Sequence, residues 1–185
     1  DKPSDGHDIL FQADYSPKQN VTMYFRYKYK QKQKNFSIDE SVTSMVEDYD
    51  KSTYKYVLKY QISSQVQLQN ILEVNENKNY QQASTNGFLI SQDIAFSCKK
   101  IPLKISFRYA FFDAVNYDNR IYTYEKDVLY AFSVPMYYGK GNRMYANICY
   151  SVTENLSFWF KLAYTKYLDT EEIGSSLETI NGDHK

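Results

Sequence analysis

The basic residues Arg26, Lys28, Lys30, Lys55, Lys59, Lys104, Arg108 and Lys161 each fall at the polar parity of a segment whose other parity is apolar. Carried on one face of a sheet, they form a basic wall, and under restricted hydration such a wall attracts anions. Tyr24 and Trp159 share that parity and offer π faces for stacking on sugars or bases. Glu125 and Asp127 stand two apart, hence on one side of an extended segment, where they can bind a cation or salt-bridge the wall. The salt bridge is the expected outcome, because lumen charges in plugged barrels are commonly neutralised.

Other chemistries find less support. Acid/base catalysis by Glu125 and Asp127 would need a nearby His or a shaped pocket, and a barrel lipase would need a Ser-His constellation. Both His, His7 and His184, lie in polar terminal segments. No enzyme, no cofactor and no metal site is therefore expected, since two Cys and two His are too few for a disulfide framework or a metal cluster. Gly139-Lys-Gly141 is too short for a phosphate loop and reads as a turn. With 22 Lys+Arg against 22 Asp+Glu, the chain lacks the net charge of a typical nucleic-acid binder, and no direct nucleic-acid site is expected.

What must position these groups is a set of strands. The 185 residues include 20 Tyr and 11 Phe, yet the mean hydropathy is -0.62, a combination that alternation explains. Val21, Met23, Phe25, Tyr27 and Tyr29 alternate with Thr22, Tyr24, Arg26, Lys28 and Lys30; Leu103, Ile105, Phe107, Tyr109 and Phe111 with Lys104, Ser106, Arg108, Ala110 and Phe112. Leu156, Phe158, Phe160, Leu162 and Tyr164 oppose Ser157, Trp159, Lys161, Ala163 and Thr165. Asn70 and Gln92 interrupt the apolar parity of weaker segments. The segments starting at Tyr15, Tyr60 and Tyr150 share a Tyr followed by apolar residues at +6 and +8, which marks a repeated hairpin tip, and residues 98–103 supply a fourth.

Strands are thus expected at 8–15, 20–34, 52–62, 65–75, 87–98, 103–112, 144–152 and 156–167. Long polar stretches at 35–51, 76–86, 113–143 and 168–185 lie between tips, so short turns form one rim and long loops the other. Residues 121–134 alternate too, but a ninth strand there would put the 150–156 tip on the wrong rim, so 113–143 reads as a long loop with its own extended structure. Ser37-Ile-Asp-Glu40 fits a capping box, and Ile38, Val42, Met45 and Val46 have helical spacing, which predicts a short amphipathic helix over roughly 37–48. The long loops carry Asp39, Glu40, Glu47, Asp48, Asp50, Asp118, Glu171 and Glu172, an acidic rim beside a basic wall.

The apolar parity can face lipid or the core of a soluble sandwich or barrel. Tyr15, Tyr60 and Tyr150 near the tips and Tyr27, Tyr29, Tyr109 and Tyr164 farther up bracket Phe25, Leu58, Phe107 and Phe160, like the aromatic girdles of membrane barrels. The eight-residue climb from Val21 to Tyr29, at ~3.3 Å per residue and ~40° tilt, covers about 20 Å of a ~25 Å apolar band. The expected fold is all-β: an antiparallel up-and-down transmembrane β-barrel segment of about eight strands, an incomplete barrel with strands missing before and after it. Its expected partners are the lipid bilayer of a bacterial outer membrane and an anionic solute. A docking barrel whose loops bind a partner and a soluble β-barrel ligand binder are the alternatives.

Gly6-His7-Asp8, the segment Gly87 to Asp93, Phe107 to Asp113, Asn119 to Pro135, Tyr137 to Gly141 and Ile173 to Gly182 resemble the C-terminal part of a Bacteroidetes helix-hairpin-helix, competence-protein-like family with a predicted outer-membrane barrel. The Tyr-Glu-x-Asp-Val-Leu-Tyr block is the most specific part of the likeness. The resemblance implies one further strand after the Asn-Gly turn. It carries no DNA-binding or catalytic role to any residue here, because the helix-hairpin-helix portion lies outside this sequence. Cys98 and Cys149 are expected to stay unbridged, since the strand 103–112 should separate theirs and two interstrand steps of ~4.8 Å exceed disulfide reach.

Overall fold

The computed structural model describes residues 5–37, 44–79, 82–114, 116–170, 172–173 and 180–184. Eight long strands form one antiparallel up-and-down sheet: β1 (His7–Lys18), β2 (Val21–Ser37), β3 (Ser44–Gln61), β4 (Val66–Asn79), β5 (Gln82–Ser97), β6 (Leu103–Ala114), β9 (Gly139–Thr153) and β10 (Leu156–Tyr167). Two short strands, β7 (Ile121–Tyr122) and β8 (Met136–Tyr137), pair with each other between β6 and β9. A last pair, β11 (Glu172–Ile173) and β12 (Ile180–Asn181), follows β10. The sheet does not close, so β1 and β10 are its edges, as in an incomplete barrel. Beyond β12, Lys166 bridges His184 and the Tyr167 N–H donates to the Asp183 carbonyl at 2.6 Å.

Short turns join β1–β2, β3–β4, β5–β6 and β9–β10, and at two of them a side-chain hydroxyl satisfies the backbone. Ser63 Oγ accepts from the N–H groups of Gln65 and Val66 at 3.2 Å each, and Thr153 Oγ1 accepts from Asn155 N–H at 3.3 Å. Pro17, which cannot donate to a ladder, lies where the β1–β2 register shifts. Cys98 and Cys149 are free thiols, and β6 runs between their strands.

The register sorts the two parities cleanly, because directly paired residues on adjacent strands share a face. Tyr24 pairs with Val57, Val57 with Ile71, Ile71 with Ser91, Ser91 with Ala110, Ala110 with Arg143 and Arg143 with Thr165. This first face holds the buried core of Val57, Ile71, Leu89, Ala110 and Phe112, onto which Ile121 and Tyr137 of the β6–β9 connection pack. The second face holds Phe25, Tyr56, Leu72, Ile90, Phe107, Phe158, Phe160 and Leu162, all exposed. Asn70 and Gln92, the interruptions in its apolar pattern, are cross-strand partners, and the Asn70 amide donates to Gln92 Oε1 at 2.5 Å.

On the long-loop rim the strands run farther than their hydropathy suggests. Residues 44–51 continue β3, 76–79 continue β4 and 82–86 belong to β5, so the expected loops at 35–51 and 76–86 shrink to connections outside the described residues. The expected helix over 37–48 is corrected in the same way: 44–48 pair with 33–37 as backbone ladder, and 38–43 lie outside the described residues. Sheet hydrogen bonds propagate from a paired strand at each added residue, which outweighs a capping box and four apolar side chains. Asp48 and Asp50 accordingly sit in β3 rather than in a loop, while Asp39, Glu40 and Glu171 fall outside the described residues.

The overrun has a structural purpose. Its first-face residues hold a 3-10 turn at Tyr117–Asn119, which Asn116 caps by accepting from Asp118 N–H. Lys51 Nζ donates to the Asp118 carbonyl at 2.7 Å, Asn75 Nδ2 to the Asn119 carbonyl at 2.8 Å, and Asn77 Nδ2 to Asn119 Oδ1. Tyr49 OH in turn donates to Asn77 Oδ1 at 2.6 Å. Gly87 lies directly beneath the turn, where a Cβ would stand 2.8 Å from both Asn119 Cβ and Asn75 Oδ1. Gly87→Ala is expected to cost about 1–3 kcal/mol through overpacking and to lower hydrogen-exchange protection over residues 116–123. Unchanged protection there would show that the turn is not seated on β5.

Candidate functional site

From Asn119 the connection descends the first face toward the short turns. Ile121 and Tyr137 pack on Phe112, whose ring meets that of Tyr137 edge-on at 5.3 Å and 78°. Below them, Glu125 N–H donates to the Ser133 carbonyl at 2.9 Å, and the tip turns at Tyr130, where φ is 67°. Glu125 and Asp127 thereby reach the basic wall.

Glu125 is fully buried and receives a bidentate clamp: Arg143 Nε donates to Oε1 at 2.7 Å and Nη2 to Oε2 at 2.9 Å. Tyr137 OH donates to the same Oε1 at 2.9 Å, and Arg143 Nη1 also donates to Thr165 Oγ1 at 2.8 Å. Burial, with the Glu125 charge beside it, pushes the Tyr137 phenol well above its ordinary range. Lys161 Nζ donates to Asp127 Oδ2 at 2.8 Å and lies 3.8 Å from Glu125 Oε2. That hydrogen bond holds the Asp127 carboxyl below its usual range; partial burial opposes the shift and the Val128 N–H supports it.

A second clamp lies beside the first. Arg108, itself buried, donates from Nε to Asp93 Oδ1 at 2.5 Å and from Nη2 to Asp93 Oδ2 at 2.6 Å. Its Nη1 donates to the Tyr124 carbonyl at 2.8 Å, which ties the connection to β6. Lys126 N–H donates to Tyr145 OH at 3.1 Å, and the Tyr145 ring lies against both Arg108 and Lys161.

All the basic residues named from the sequence lie on the first face by register, but most meet a counter-charge or an acceptor. Arg26 donates to Gln12 Oε1 at 2.8 Å and stacks over Tyr24; Lys28 pairs with Asp8 at 2.9 Å and Lys55 with Glu73 at 2.9 Å. Lys30, Lys59 and Lys104 form no ion pair among the described residues. Tyr24 packs against the core cluster, whereas the Trp159 ring lines an open cavity.

That cavity, about 330 Å³, lies on the short-turn side of the connection. Its walls include the cross-strand row Ser97–Lys104–Cys149–Trp159 and, from the next row, Ala95, Ser106 and Asn147, and Tyr124, Lys126 and Asp127 of the connection line it as well. Lys126 stays exposed, yet desolvation lowers its pKa; Asp93 opposes the shift, and Lys59 and Arg108 add to it.

Arg143, Asp93, Tyr137, Tyr145 and Lys126 escaped the sequence reading. Arg143 and Asp93 share the parity of the first-face residues, but Arg143 precedes the expected strand 144–152 and Asp93 falls among the residues that carry the family resemblance. Comparison with protein-family models, with curated proteins and with solved structures returned no match.

Glu125→Gln keeps the shape of the clamp but strips Arg143 and Lys161 of a buried counter-charge. The expected cost is about 3–5 kcal/mol in refolding titrations, less in combination with Arg143→Met, so that a double-mutant cycle shows coupling. Additive losses would mean the clamp is not the anchor. For Asp127 the depressed pKa makes its ion pair fully formed at neutral pH and lost as pH falls below the carboxylate range; amide protection over 124–128 should hold down to about pH 4 and decline below it.

Proposed function

We propose that this chain is a wall segment of a bacterial outer-membrane β-barrel whose lumen side is plugged by its own β6–β9 connection, and that anionic material passes only when the plug withdraws. The observation that carries the reading is the opposite character of the two faces. One presents exposed Phe and Leu across successive strands, with Phe158 and Phe160 each 60% and Leu162 63% exposed at the β10 edge. The other buries Arg108, Asn75 and Asn147 under a folded-in segment that itself contributes the buried Glu125.

An apolar band of this extent needs a covering, since exposed apolar patches on soluble monomers rarely exceed a few hundred Å². Lipid suits a barrel wall with Tyr at the ends of its apolar band. The resemblance to a family with a predicted outer-membrane barrel points the same way. The plug favours a gated or closed barrel over an open pore, because wall cations already paired with Asp8, Glu73, Asp93 and Asp127 attract passing anions weakly.

Two tests follow. Phe107→Arg is expected to destabilise the lipid-refolded protein by about 2–4 kcal/mol, and Ser106→Arg, which points into the cavity, by much less; equal costs would argue for a soluble core on both faces. In planar bilayers at low salt the parent protein should be largely silent. Glu125→Ala combined with Asp127→Ala should conduct with preference for chloride over potassium, a preference that shrinks near 1 M salt, where the Debye length is about 3 Å. A variant that inserts but stays silent would discard transport and leave a docking barrel.

A further inference from the structure

We propose that the cavity bounded by β5, β6, β9, β10 and residues 124–127 binds a sugar-sized molecule bearing one anionic group. At about 330 Å³ it falls at the small end of ligand pockets, which typically span ~300–1,000 Å³ and combine a flat apolar contact with a few fixed polar groups. Trp159, half-exposed, supplies the flat contact. Ser97, Ser106 and the buried Asn147 supply hydrogen-bonding groups matched to sugar hydroxyls, which both donate and accept.

The charge pattern selects the anion. Lys161 and Arg108 are taken by Asp127 and Asp93, whereas Lys104 and Lys126, which both line the cavity, form no ion pair among the described residues. Among the described residues, the only carboxylate lining it, Asp127, is committed to Lys161. An anionic group between the two free ammonium groups gains attraction without breaking an existing pair.

The inference does not rest on the membrane reading. The cavity lies on the face opposite the exposed apolar band, and binding can be read whatever covers that band. Trp159 is the single Trp of the chain, so its fluorescence reports from the site itself.

Titration of the purified protein with glucose 6-phosphate should give a saturable change in Trp159 emission, with half-saturation at or below about 1 mM. Lys104→Gln and Lys126→Gln should each raise that concentration about tenfold, and added salt should weaken binding as well. Lys104 is exposed, so its variant tests the site without disturbing the core. No saturable change overturns the proposal. An equal response to uncharged glucose overturns the anion requirement, equal binding of inorganic phosphate overturns the stacking of a ring on Trp159, and insensitivity to both Lys variants places the ligand elsewhere.

Discussion

A pleated strand sends successive side chains to opposite faces, and in this protein that constraint decides almost everything else. Once the register is set, a slip by one residue in β6 would put Arg108 among the exposed Phe side chains and Phe107 against Glu125 and Tyr145. The two faces are so unlike that the pairing has one acceptable solution. Shielded cationic groups on one side then demand carboxylates, and the β6–β9 connection brings two of them: Glu125 for the Arg143 guanidinium and Asp127 for the Lys161 ammonium.

That connection is held at three levels, each by a different interaction. At the long-loop rim, amide hydrogen bonds from Asn75 and Asn77 fix Asn119. In the middle, Ile121 and Tyr137 are buried on Phe112 and Leu89. Nearest the short turns, the clamps on Glu125, Asp127 and the Tyr124 carbonyl are charge-assisted, and removing one partner would leave a buried charge unmatched. Buried ion pairs add little net stability over apolar packing, so their value here lies in specifying one position for the segment.

The strands with one strongly apolar parity were legible because lipid or core must meet every second residue, and the up-and-down order followed from the spacing of the tips. Less was legible where both parities are polar. Residues 44–51 and 76–86 carry no apolar alternation, because polar types occupy both parities, yet the backbone ladder continues through 44–51, 76–79 and 82–86. The same limit hid half of the site. The salt-bridging tendency of Glu125 and Asp127 could be read from their spacing, but Arg143 as the partner depends on where β9 begins, and Asp93 on a register across β5 and β6 that no local pattern reports.

The central claim is that the Phe107 face meets lipid, and site-directed spin labelling tests it most directly. In the full chain with Cys98 and Cys149 replaced by Ser and reconstituted in liposomes, a nitroxide would be placed in turn at positions 104, 105, 106, 107 and 109 of β6. Collisions with oxygen, which partitions into the bilayer, should be frequent at 105, 107 and 109, and collisions with a water-soluble nickel chelate should be rare there. At 104 and 106 the oxygen response should drop, giving a period of two. Frequent nickel collisions at 107 and 109, or no alternation along β6, would contradict the membrane account.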